Sequence, residues 1–160
     1  MKNIFLFIAS IFLISSTVCA KDPTDDGGIF TMKISIQIKS DSGNHTLTAT
    51  LENNSSAVAF YELLKKGAVT ISMSDYGNFE KVGSLGKTLP RNDKQITTSA
   101  GDIILYQGNQ ITIYYDKNSW NFTRLGKVVL TDSTTAINKA ELKKILGKGD
   151  VTAVFSILEQ

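Results

Sequence analysis

The sequence contains few of the side chains on which most enzyme chemistry depends. Its 160 residues include one cysteine, Cys19, and one histidine, His45. A lone cysteine excludes an internal disulfide and a cysteine metal site. A zinc site would usually need several His or Cys ligands, and a Ser-His-Asp triad would have His45 as its base with no nucleophile marked nearby. We therefore predict no metal and no cofactor, and we interpret His45 as an exposed polar strand residue.

The sequence has no large excess of positive or negative charge. Lysine and arginine total 17 residues and aspartate and glutamate 15, which gives a formal net charge of +2. Adjacent lysines occur only as pairs, at 65–66 and 143–144. Nucleic-acid binding needs a basic patch or stripe, so we predict no nucleic-acid partner. Hydrophobic residues make up 42% and charged residues 20%, which is typical of an ordinary globular domain.

The chain has no apolar run long enough for a transmembrane helix of about 20 residues. Its longest run, at 4–14, follows Lys2 and precedes the small residues at 18–20. A positive start, an apolar centre and a small-residue cleavage site are typical of a secretory signal peptide. We therefore predict that residues 1–20 are a signal peptide, that the protein is secreted or periplasmic, and that no transmembrane segment remains after cleavage.

Cys19 leaves an alternative to simple secretion. A lipoprotein signal places a small residue directly before a cysteine that becomes lipidated, and Val18 fits that place poorly. Residues 21–30 are polar and rich in glycine, which is typical of a flexible tether. No internal repeat or second linker follows, so residues 31–160 are predicted to form one domain.

Alternation with a period of two dominates the domain and predicts strands. Ile34, Ile36 and Ile38 alternate with polar residues, and a turn at 41–44 leads into a second alternating stretch at 47–51. A tight hairpin is predicted around Gly108-Asn109. Residues 76–100 are less regular. Further strands are predicted at 69–73, 101–106, 111–115, 127–130 and 151–158.

Two segments instead show helical spacing. The first follows Asn54 or Ser55 as its N-cap and ends near Gly67. The second begins at Asn138, which forms a capping-box pattern with the glutamate three residues later, and ends at Gly147. Seven or eight short strands with two short helices predict a mainly β fold, a closed or nearly closed barrel whose open ends the helices cover.

A glycine-rich segment resembles a phosphate-binding loop without fulfilling its pattern. Residues 83–88 read GSLGKT, but Lys81 stands where the first glycine of the motif should be. The motif must also open a helix, and Leu89-Pro90 follows here. Nucleotide binding is therefore not predicted.

Paired carboxylates are a weaker candidate for chemistry. Asp75 and Glu80 flank one predicted turn, and Asp102 begins the following strand. Acid–base catalysis would need two of them in one cleft with separated pKa values, whereas solvated turn residues are the commoner case.

Aromatic residues are the most suggestive feature. Five of them lie within the seventeen residues from Tyr106 to Phe122, and Arg124 follows closely. Aromatic walls with a few placed polar groups are typical of a binding groove, and Arg124 could anchor a carboxylate or a carbonyl. Tyr115 shares its parity with the isoleucines before it and is predicted to be a core residue, while Tyr114 is predicted to face outward. The candidate ligand-binding residues are Glu80, Tyr106, Tyr114, Trp120, Phe122 and Arg124.

Four segments carry a resemblance to a known family: NFEKVGSL at 78–85, Leu89-Pro90, AGDIILY at 100–106 and FTRLGKV at 122–128. Over roughly residues 32–158 the chain resembles bacterial cyclophilin-like fold proteins, which are related to an atypical branch of the cyclophilin superfamily. The resemblance implies a closed eight-stranded β-barrel with two helices. It does not imply the cyclophilin reaction, because the Gln-Gly-Gly-Asp stretch of catalytic cyclophilins is absent.

Three hypotheses for function remain open. The first is a binding module for a peptide or a small molecule, without established catalysis. The second is a peptidyl-prolyl isomerase with a rebuilt site, in which Arg124 donates a hydrogen bond to the proline nitrogen and helps to overcome a barrier of about 18–20 kcal/mol. The third is an accessory domain that docks on a protein partner through an exposed apolar patch.

Overall fold

The computed structural model describes residues 31–130 and 135–158. The predicted signal peptide with Cys19 and the predicted tether at 21–30 lie outside these residues. The described part contains nine strands and two helices, and neither helix has the length and apolar character needed to cross a membrane. The elements are β1 Lys33–Ser40, β2 Gly43–Leu51, α1 Ser55–Lys65, β3 Val69–Tyr76, β4 Glu80–Ser84, β5 Lys94–Thr97, β6 Asp102–Tyr106, β7 Gln110–Tyr114, β8 Ser119–Val129, α2 Lys139–Leu146 and β9 Val151–Ile157.

Eight of the strands close into an antiparallel barrel, as predicted. The order around the wall is β2-β1-β9-β3-β4-β7-β6-β8, and pairing of β8 with β2 completes the circle. The ninth strand, β5, pairs only with the first part of β8 and stands outside the barrel. Closure removes the exposed edges that an open sheet of this size would present.

The predicted alternation sets the inward face of the barrel. Ile34 and Ile36 are fully buried, and in the pairing of β1 with β2 they lie opposite Ala49 and Leu47. Since neighbouring residues of a strand point to opposite faces, the intervening polar residues face away from this core. Tyr115 is also buried in the central core, as its parity predicts.

Both helices begin at the predicted caps. The Asn54 side chain accepts a hydrogen bond from the Ala57 amide at 2.9 Å, and the Asn138 side chain accepts one from the Glu141 amide at 2.9 Å. Such caps satisfy backbone donors that the first turn of a helix leaves free. Phe60 of α1 is fully buried, and its ring contacts that of Phe155 edge-on at 5.7 Å, so α1 closes the core that the strands surround.

In the middle of the chain the structure contains more strand than was predicted. β4 and β5 were not predicted, because they are only five and four residues long and lie in a stretch rich in turns. β8 begins at Ser119, not near residue 127. Residues 85–93 form no helix after the GKT sequence, whereas a phosphate-binding loop opens a helix.

β8 is the strand that shapes the outer surface. Its residues 119–122 pair with β5, residues 123–127 pair with β6 and residues 126–129 pair with β2. Its register against β6 shifts where Ile103 pairs with Gly126 and Ile104 pairs with Arg124, so one residue of β8 is extra. Such a bulge bends a strand. The first part of β8 therefore forms a ribbon with β5 beside the barrel wall.

Candidate binding cleft

The outer face of the barrel wall carries a cleft of about 430 Å³. On β4 and β7 the residues Glu80 and Tyr114 lie directly opposite each other, on the face that points away from the central core. Trp120 and Phe122 reach the same place from the part of β8 that pairs with β5. The cleft is lined by Tyr76, Phe79, Glu80, Val82, Tyr106, Gln110, Tyr114, Asn118, Trp120 and Phe122.

The floor of the cleft is a second, smaller hydrophobic cluster, separate from the barrel core. Tyr114 and Phe122 are buried in it with Ile104, and their rings lie 5.6 Å apart. Phe79 stacks on Tyr114 at 5.9 Å with an interplanar angle of 8°. The prediction that Tyr114 faces outward is therefore wrong about its exposure. The side chain does leave the barrel core, but this second aromatic layer leaves it only 2% exposed.

The rim of the cleft is aromatic and open to solvent. Tyr76 is 62% exposed and Trp120 is 60% exposed. Among the residues that the structure describes, the large hydrophobic side chains that stay exposed are these two and Val58. Two of the three therefore lie at a single cleft, where they extend its buried aromatic floor toward the solvent.

Glu80 is the carboxylic acid of this cleft. It is 7% exposed, and its Oε2 is buried with no hydrogen-bond partner in the described structure. Burial raises the pKa of the Glu80 carboxyl, and a hydrogen bond from the Tyr114 hydroxyl offsets only part of that rise. Burial and the same hydrogen bond raise the pKa of Tyr114. No lysine, arginine or histidine is among the described lining residues.

Arg124 does not line the cleft. Its Nη2 lies 3.4 Å from Oδ2 of the fully buried Asp102, and its Nη1 lies 3.7 Å from Oε1 of Glu52. Asp102 also accepts a hydrogen bond from the Lys127 ammonium at 2.9 Å. Thus five of the six candidate residues converge on one cleft, and the sixth belongs to an ion-pair network. Ligand binding by any of them stays a prediction.

The three carboxylates considered for acid–base catalysis are not brought together. Glu80 faces the cleft and Asp102 is held in its ion pairs. Asp75 accepts a hydrogen bond at 2.9 Å from the buried ammonium of Lys81, whose side chain points to the opposite face from its neighbour Glu80. The separation leaves each carboxylate alone in its own environment.

Sequence reasoning missed one polar contact of the histidine. His45 is half-buried in β2, and its Nε2 lies 3.0 Å from the Ser42 hydroxyl. That hydroxyl donates to the Ile145 carbonyl at 2.9 Å. Because its hydrogen is directed to a backbone acceptor, the serine is not arranged as a nucleophile activated by the imidazole.

A family model and a solved structure match this chain. The model described as the cyclophilin-like family matches residues 41–156. The chain belongs to the cyclophilin-like family. The fold of this cyclophilin-like protein is also similar to the solution structure of a hypothetical protein from Archaeoglobus fulgidus, with a TM-score of 0.54 and 12% identity over 82% of this chain and 99% of that one. At that identity the likeness supports the fold alone. No functionally curated protein matches the chain.

Proposed function

We propose that this cyclophilin-like domain is a ligand-binding module and that the aromatic cleft is its binding site. The observation that carries the proposal is the preformed cleft itself, about 430 Å³ in volume with a buried aromatic floor. Binding sites for small molecules and peptide side chains are typically concave, largely apolar, and furnished with a few polar groups. Here the polar groups are Glu80, Gln110 and Asn118.

The geometry supports binding better than prolyl isomerisation. The isomerase hypothesis assigned Arg124 as donor to the proline nitrogen, but that guanidinium is engaged with Asp102 and Glu52 and does not line the cleft. The titratable groups that do line it are Glu80 and tyrosines. No lysine, arginine or histidine is among the described lining residues, so none of them offers a cationic donor in place of Arg124.

We also propose that the domain works outside the cytoplasm. This part of the proposal depends on the signal-peptide pattern in residues 1–20. Fusion of those residues to a reporter that is active only after export tests it. A reporter that stays inside the cell would contradict it.

The binding proposal is tested by NMR on residues 21–160, which contain the whole barrel. The sample is titrated with a pool of short proline-containing peptides and a pool of small organic ligands, and amide shifts and cis–trans exchange are recorded together. We expect shifts at the Trp120 indole and along β4 and β7, without accelerated exchange. Accelerated exchange would establish an isomerase instead. Shifts confined to other surfaces, or none with any ligand, would overturn the assignment of the cleft.

A matched pair of variants sharpens that test. Trp120→Ala removes an exposed ring from the rim of the cleft, whereas Val58→Ala removes an exposed hydrophobic side chain from α1. Stacking on an exposed aromatic ring contributes on the order of 1 kcal/mol, so Trp120→Ala should weaken binding about fivefold or more. Val58→Ala should leave it unchanged. Equal effects of the two changes would argue against the cleft.

A further inference from the structure

Glu80 places a carboxyl group in the cleft. Oε2 of Glu80 is shielded from solvent and accepts no hydrogen bond among the described residues. A buried polar atom without a partner is costly, and a buried carboxylate without a cation is more so. The rings of Tyr76, Tyr106 and Trp120 line the same cleft above its packed aromatic floor. The site therefore combines a buried carboxyl group with aromatic walls, and no lysine, arginine or histidine is among its described lining residues.

From this combination we infer that the cleft binds organic ammonium groups, with Glu80 as the counter-ion and the aromatic rings as the cage. The inference deepens the proposed function and rests on it. The face of an aromatic ring carries negative charge, and it attracts ammonium groups most strongly where water is excluded. A carboxylate adds a charge-assisted contact to the same ligand.

The alternatives by charge fit the cleft less well. An anionic ligand would meet the Glu80 carboxylate and the electron-rich ring faces, with no described lysine or arginine lining the cleft to balance it. A neutral apolar ligand would bring neither a charge nor a hydrogen-bond donor to the Glu80 carboxyl, whose Oε2 has no partner among the described residues. An ammonium ion brings the positive charge that both the Glu80 carboxyl and the ring faces attract.

The protonation of Glu80 supports the same conclusion. Burial raises the pKa of Glu80 in the free protein, so bringing a cation beside it favours the ionised form. Among the described residues, the titratable side chains beside Glu80 are Tyr76 from β3, Tyr106 from β6 and Tyr114 from β7, and Tyr115 also interacts with it electrostatically. Lys81 of its own strand points to the other face. Ammonium binding should therefore release protons, and affinity should fall as the pH falls through the pKa of Glu80.

The decisive comparison is between two ligands of the same shape. Choline carries a trimethylammonium group, and its neutral analogue carries a tert-butyl group in the same position. The single tryptophan, Trp120, lies at the rim of the cleft and reports binding by its fluorescence. We expect choline to bind at least tenfold more tightly than the analogue. A second pair, a short peptide with lysine and the same peptide with norleucine, shows whether the ammonium can come from a protein side chain.

Variants assign the charge to Glu80. Glu80→Gln keeps the shape and removes the charge, so choline affinity should fall about tenfold while the affinity for the neutral analogue changes less than about twofold. The pH dependence of choline binding should disappear in the same variant. Glu62→Gln, on the exposed surface of α1, changes the net charge equally and should have neither effect. Circular dichroism confirms that each variant is folded.

The outcomes separate this inference from the function on which it rests. Equal affinity for choline and its neutral analogue would overturn the ammonium assignment and leave a binding cleft in place. The same holds if neither ammonium probe binds while other ligands shift the cleft resonances. No shift with any ligand would overturn both. Choline binding that Glu80→Gln leaves intact would also contradict the inference.

Discussion

Replacing Asp75 with asparagine should destabilise the barrel severely, because it removes the carboxylate that pairs with a buried ammonium. The Lys81 side chain is fully buried, and its Nζ donates to Asp75 Oδ2 at 2.9 Å. It also donates to the carbonyls of Gly149 at 2.6 Å and Gly147 at 3.4 Å. The change would leave the ammonium with neutral acceptors alone among the described contacts. The Tyr115 hydroxyl also donates to Asp75, so two buried donors share this carboxylate.

The magnitude follows from the cost of an unpaired buried charge. Breaking a buried ion pair by removing one partner costs about 3–5 kcal/mol. The lower end applies here, because the Asp75 side chain is 33% exposed and asparagine retains an acceptor oxygen. We therefore expect a loss of about 3 kcal/mol in the free energy of unfolding at neutral pH. For a domain of this size that corresponds to a fall in Tm of roughly 10 °C.

A double variant tests the physical reason. Lys81→Met removes the buried ammonium and keeps a side chain of similar length. If the unpaired charge causes the instability, Asp75→Asn with Lys81→Met should be more stable than Asp75→Asn alone. Glu62→Gln breaks an exposed ion pair with Lys65 on α1 and should leave stability nearly unchanged. The assay is urea unfolding followed by circular dichroism and tryptophan fluorescence.

The pH dependence of the stability difference between the parent protein and Asp75→Asn tests whether the ion pair is its cause. Burial alone would raise the pKa of Asp75, but the hydrogen bonds from Tyr115 and Lys81 and the charge of Lys81 bring it below its usual value. The stabilisation is therefore present above the unfolded-state pKa and lost as the pH falls through the lowered folded-state pKa. The difference between parent and Asp75→Asn should shrink in acid. A difference below about 1 kcal/mol at neutral pH, or one independent of pH, would show that Asp75 does not stabilise the barrel through the buried Lys81 ammonium.

Three further changes test other parts of the structure. Arg124→Ala should leave ligand affinity at the cleft within about twofold. It should lower stability by about 1 kcal/mol, because Asp102 loses one of its cations. A large loss of affinity in binding titrations would contradict the placement of Arg124 outside the cleft. Gly83→Ala should destabilise by about 1–3 kcal/mol, since its Cβ would lie 2.4 Å from the Ser72 carbonyl oxygen; an unchanged melting curve would argue against the tight packing of β4 on β3. Asn138→Ala should cost about 1 kcal/mol in thermal unfolding through loss of the cap of α2, and Asn138→Ser should restore most of it.

The central core could be predicted from the sequence because the patterns that indicate it, strand alternation and helix caps, involve residues close together in the chain. The period of two in β1 assigns Ile34 and Ile36 to the inward face, whatever their partners are. The caps at Asn54 and Asn138 are read from residues within one turn of each helix. Alternation alone favours a closed or nearly closed barrel. The family resemblance of four short segments then predicts a closed barrel of eight strands.

The alternation of residues along a strand predicts little about the second hydrophobic cluster. It correctly turns Tyr114 away from the barrel core and gives no sign that Phe79 and Phe122 cover it from outside. β5 was missed for a related reason. Its four residues are held by pairing with β8, so their strand conformation depends on a partner more than twenty residues away.

The amino-acid pattern was enough to predict the fold class, the inward face of the barrel, the helix caps and the group of aromatic residues from which a cleft could be built. Which of these aromatic residues meet depends on how the strands pair in three dimensions. Cross-strand pairing sets Glu80 against Tyr114, and the ribbon of β8 with β5 adds Trp120 to the rim. Arg124 lies two residues from Phe122 in the chain, but its ion pairs with Asp102 and Glu52 hold it outside the cleft lining. Contacts between distant residues depend on register and on competing partners, and neither can be read from the spacing of residues along the chain.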